Sequence, residues 1–82
     1  MATRRHSTTK ITIELPVGMA ADIDALVERT AHCDDRGTSH GALTMEKLAK
    51  MLLEDAAMTV GRPGSWEASN MDRVLQGHGY DL

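Results

Sequence analysis

Thr9-Lys10-Ile11-Thr12-Ile13-Glu14-Leu15-Pro16 alternates apolar with polar side chains from Lys10 to Leu15. Successive side chains of an extended chain point to opposite faces, so Ile11, Ile13 and Leu15 share one face and Lys10, Thr12 and Glu14 the other. The pattern predicts a half-buried strand. Pro16 ends it, because proline has no N–H to give a ladder yet suits the start of a helix. No other segment alternates in this way. A lone strand leaves unpaired N–H and C=O groups along both edges. The pattern therefore predicts a partner strand from a second copy of the chain, paired antiparallel about a two-fold axis. Ile11, Ile13 and Leu15 would line the inner face of that ribbon, and Lys10, Thr12 and Glu14 the outer one.

Upstream, residues 1–7 are polar and basic, with Arg4, Arg5 and His6, and read as an arm. Downstream, Met19, Ile23, Leu26 and Val27 recur at helical spacing, with Asp22, Asp24, Glu28 and Arg29 turned outward, predicting a helix over 17–32. Residues 33–43 are polar and glycine-containing and predict a surface loop. Thr44 is a good N-cap, Glu46 sits in the first turn, and Leu43 and Leu48 hold the two positions of a hydrophobic staple. The second helix, over 45–59, carries Met45, Leu48, Ala49, Leu52, Leu53 and Ala56 in a stripe wide enough to bury against two neighbours, with Gly61 as its stop. Arg62-Pro63-Gly64 breaks the chain, and Ser65 caps a weaker helix over 66–76 ended by Gly77. Residues 77–82 are expected to fray. The organisation is thus an arm (1–7), a strand-helix-helix unit (8–60) and a tail with a short helix (61–82).

At 82 residues this is one domain, and a domain so small buries only about 60% of its unfolded surface. With 41% hydrophobic residues but 2% aromatics, its core must be built from Leu, Ile, Val, Met and Ala. Cys33 is the single cysteine, so no internal disulfide can reinforce that core, and oligomerisation is the natural remedy. No apolar run approaches the roughly 18 residues of a membrane span, and no apolar stretch follows the charged N-terminus as in a secretory leader, so a cytoplasmic protein is expected. Net charge is −3, but Arg4, Arg5 and Lys10 make residues 1–12 +3, leaving −6 for the remainder.

The alternating segment ending at Pro16, an amphipathic helix, a polar loop and a second capped helix resemble ribbon-helix-helix regulators and antitoxins over residues 8–60. The resemblance implies a mainly α fold with one short N-terminal strand, an intertwined homodimer with an intermolecular two-stranded ribbon, and double-stranded operator DNA as partner. It implies that Lys10, Thr12 and Glu14 read bases in the major groove, and that Thr44 with the Met45 and Glu46 amides holds a phosphate. These roles agree with general physics, since a two-stranded ribbon fits the major groove and helix N-termini attract anions. The loop between the helices is longer than the short turn usual in that family, so Thr38 or Ser39 is an alternative anchor. Arg4 and Arg5 are candidates for backbone or minor-groove contact. The functional expectation is a transcriptional repressor, or an autoregulating antitoxin whose residues 61–82 fold onto a toxin.

Other chemistries find less support. His32, Cys33, Asp34, Asp35 and His40 have metal-binding donors, but no pair has the spacing of a zinc site, and a polar loop accounts for them. A nucleophilic Cys33 beside a histidine has no pocket to work in, so neither an enzyme nor a cofactor is expected. Met19, Met45, Met51 and Met58 read as core filler. Trp66, Met71, Val74 and Leu75 form a stripe that either anchors a protein partner or packs back on the second helix. The acidity outside residues 1–12 supports a competing function, a protein-binding module or inhibitor that never touches DNA. The sign of the surface around Lys10 would discriminate the two.

Overall fold

The computed structural model describes residues 7–33 and 37–81. Three helices follow one another: α1 (Val17–Arg29), α2 (Met45–Gly61) and α3 (Trp66–Gly77). Among the described residues there is no strand. The expected N-terminal strand, and with it the ribbon-helix-helix arrangement, is therefore corrected: among the described residues the regular elements are all helices, preceded by a segment outside any regular element. The cause is the one that made the segment unusual. A strand exists only in a ladder, and nothing else in this chain alternates to complete one, so residues 7–16 run without helix, turn or bend.

Pro16 caps α1 at φ −54° and ψ 143°, and its carbonyl accepts the first helical bond from the Ala20 N–H at 3.0 Å. Ala20, Ile23, Val27 and Thr30 form the partly covered stripe of α1. The helix ends three residues before the sequence predicts, because the chain tightens into successive i→i−3 bonds from Thr30, Ala31 and Cys33, and the Thr30 hydroxyl donates to the Val27 carbonyl at 2.8 Å. At the head of α2, Thr44 lies in the extended region and its Oγ1 accepts the Lys47 N–H at 3.1 Å.

The link from α2 to α3 is tight. The Ser65 hydroxyl donates to the Arg62 carbonyl at 2.8 Å and accepts the Ala68 N–H at 3.2 Å, so one side chain closes the turn and caps the next helix. α3 then lies back along α2, with Ala68 fully buried and Met71 and Leu75, three and seven residues on, partly covered. α3 stops one residue later than its first glycine suggests, at Gly77 itself. Gly79 takes φ +92°, and the Tyr80 and Gly79 N–H groups bond the Leu75 and Gln76 carbonyls, both at 3.0 Å, in a Schellman arrangement.

α1 packs against α2 less extensively than α3 does. Ala68 is the only fully buried apolar residue described. The chain exposes 7296 Å², about half as much again as the roughly 4,800 Å² expected of a compact monomer of this mass. Its radius of gyration is 15.0 Å, against about 12 Å for a compact chain of this length. Among the described residues, no helix is long and apolar enough to cross a membrane.

Candidate functional site

The broad apolar stripe of α2 divides between two neighbours. Met45, Leu48 and Ala56 of the stripe are partly covered, as are Met51 and Met58 beside it, whereas Ala49, Leu52 and Leu53 stay exposed. Those exposed residues floor an open hollow of about 550 Å³, closed on its other sides by Met19 and Ile23 of α1 and by Ile11, Ile13 and Leu15. All three apolar members of the alternating segment thus turn to one place. Ile11 and Ile13 nevertheless remain 63% exposed, since nothing lies over them.

Lys10, Thr12 and Glu14 are all exposed. Met45 and Glu46 line the same hollow, so the segment runs beside the first turn of α2. The apolar edge of the segment and the start of α2 thus share one hollow, with Lys10, Thr12 and Glu14 outside its lining. Thr44 spends its acceptor on the Lys47 N–H. The Glu46 carboxylate stands in the positive first turn, where it offsets part of the field that would attract an anion. Lys47, which the sequence reading passed over, places a cation at this turn, its Nζ donating to the Ala42 carbonyl at 3.2 Å. Its signal was a lysine three residues after an N-cap, one helical turn into α2. Arg4 and Arg5 lie outside the described residues.

A second hollow, of about 430 Å³, lies on the opposite side of α2, between α2, the start of α3 and the 37–43 loop. Met51 and Met58 line it along α2, Trp66 stands at the head of α3, and Glu54, Asp55 and Glu67 supply three carboxylates. His40 reaches over from the loop, with Nε2 at 2.8 Å from Glu54 Oε1 and Nδ1 at 2.6 Å from Ser39 Oγ. Both ring nitrogens of His40 are thus partnered. Ser39, the alternative phosphate anchor, thus belongs to this acidic hollow and not to the one beside Lys10. Of the expected partner-binding stripe, Met71 and Leu75 are engaged under α3, whereas Trp66 and Val74 are exposed at 70% and 51%.

Cys33 is exposed at the edge of a smaller hollow of about 180 Å³ that also holds Thr30, His40 and Met51. Among the described residues no three His, Cys, Asp or Glu side chains come together as a metal site would need. Asp34 and Asp35 lie outside the described residues. Comparison with known protein families, with curated proteins and with solved structures finds no match to this chain.

Proposed function

We propose that the chain is a DNA-binding regulator that works as a homodimer, repressing transcription by occupying double-stranded operator DNA. The observation that carries this reading is the shared hollow, where Ile11, Ile13 and Leu15 turn inward against α1 and α2 while Lys10, Thr12 and Glu14 remain exposed beside the first turn of α2. A second copy laid over the hollow covers Leu52, Leu53 and the isoleucines of both chains. It also removes part of the excess accessible surface, since a stable pair buries roughly 800 Å² of each partner.

In the proposed complex the DNA-reading group is the polar edge of residues 9–14, a segment held by its apolar side, and not a strand of this chain. Lys10 donates to guanine O6 and N7 or to a phosphate, Thr12 serves as donor or acceptor, and Glu14 accepts from the cytosine amino group. The positive charge of residues 1–12 and Lys47 supply the phosphate attraction that the acidic remainder does not. Two such segments related by two-fold symmetry read two symmetry-related half-sites.

The test is binding to the DNA upstream of the chain's own gene, compared with unrelated DNA, across a salt series. Sequence-selective binding is expected, weakened in Lys10→Ala and Thr12→Ala, with the salt slope reduced by about 1 in Lys10→Ala if that residue meets a phosphate. A well-folded dimer that ignores every fragment at low salt would overturn the DNA reading.

A further inference from the structure

We infer that the hollow between α2, α3 and the 37–43 loop docks a basic segment of another protein, seating a lysine or arginine side chain against Trp66. The reading is independent of DNA binding, because this hollow lies on the other side of α2 from Lys10.

Charge complementarity names the partner. Glu54, Asp55 and Glu67 lie around the hollow, among the described residues no lysine or arginine lines it, and the imidazole present, His40, is committed to Glu54 and Ser39. The apolar part suits the aliphatic stem of a basic residue rather than a bare cation. Met51 and Met58 are unbranched and polarisable and adapt to a flexible chain. A basic side chain can lay its methylenes on such a surface while its head meets the carboxylates. Trp66 adds the ring face that attracts cations most strongly.

The backbone that carries the ring is also fixed in place. Trp66 is the first residue of α3, directly after the Ser65 cap, and fully buried Ala68 fixes that end of α3 on α2. A large aromatic at a fixed backbone position, 70% exposed, offers the kind of surface that an interface anchor buries.

Trp66 is the sole tryptophan, so its fluorescence reports on this hollow directly. The experiment titrates the full chain with a peptide of alternating arginine and leucine, and with its glutamate-for-arginine counterpart. A labelled copy of the arginine peptide is followed by anisotropy for the variants. The arginine peptide is expected to change Trp66 emission saturably, and the glutamate peptide to leave it unchanged. Glu54→Gln combined with Glu67→Gln should weaken binding about tenfold, and Trp66→Ala about fivefold, with Trp66→Phe between Trp66→Ala and wild type. Lys10→Ala should bind the peptide as wild type does, and helicity by circular dichroism should be unchanged in every variant. Absence of saturation, or equal affinity in the carboxylate variants, would overturn the inference. So would tighter binding by a peptide of residues 1–10, because the hollow would then belong to a second copy of the chain and not to a different protein.

Discussion

His40 and Glu54, fourteen positions apart, meet at 2.8 Å between Nε2 and Oε1, and this contact pins the 37–43 loop to the middle of α2. The pair is partly solvated, with side chains 28% and 52% exposed, so its worth is small, about 0.5 kcal/mol after screening. Its effect on the loop should exceed its effect on stability. In His40→Ala the urea midpoint is expected to shift only slightly, while amide hydrogen exchange across residues 38–42 speeds up selectively. Uniform acceleration over α2 and α3 as well would mean that the contact supports the whole fold.

Thr44 carries the start of α2 through one hydrogen bond to the Lys47 N–H. Thr44→Ala removes the cap and is expected to cost about 1 kcal/mol in chemical denaturation, while Thr44→Ser restores most of it. The pair of substitutions separates capping from the proposed phosphate contact. If Thr44→Ala loses DNA affinity in proportion to stability alone, Thr44 has no further part in binding.

The helix starts were legible because capping is local chemistry. Pro16, Thr44 and Ser65 each mark the residue after which a helix begins, and α1, α2 and α3 start directly after them. The stops were less legible. Gly61 and Gly77 suggested ends, yet both are the last helical residues, and the positive-φ glycine that closes α3 is Gly79. Which glycine of Gly77-His78-Gly79 takes that conformation depends on which carbonyls remain free, and composition does not reveal it. The alternating segment was read correctly in its faces and wrongly in its state. The side-chain period decides that Ile11, Ile13 and Leu15 turn together into the hollow, but forming a strand also needs a ladder partner that the chain does not contain. The acidic hollow was invisible for a different reason, since Glu54, Asp55, Glu67 and Trp66 are brought together by the Ser65 turn and not by spacing along one helix.

Leu52 and Leu53 test the proposed self-association. They stand 47% and 51% exposed on the floor of the larger hollow, so a charge there costs little in a lone chain and much in a dimer. Leu52→Glu is expected to halve the mass seen by light scattering at micromolar concentration, and to abolish the rise of melting temperature with protein concentration that a dimer shows. Leu53→Glu should behave alike. Wild type that scatters as a monomer at all concentrations would remove the second copy from the proposal.

Ala68 is the point at which α3 touches α2 without solvent between them, at 0% exposure. An alanine there allows close approach of the two helices, and the Ser65 turn leaves α3 little room to slide. Ala68→Leu adds three heavy atoms to a contact that has no space for them, and overpacking of this kind costs about 1–3 kcal/mol. The strain falls on the α2–α3 pair, the most extensive helix contact in the chain, so α3 should lift from α2 before α2 itself melts. Trp66, at the head of α3, reports this directly. In Ala68→Leu its fluorescence transition in urea should precede the loss of helical circular dichroism, whereas in wild type the two should coincide. Coincident transitions in the variant would show that α3 has shifted bodily to accept the larger side chain, and the geometry of the acidic hollow would then change with it.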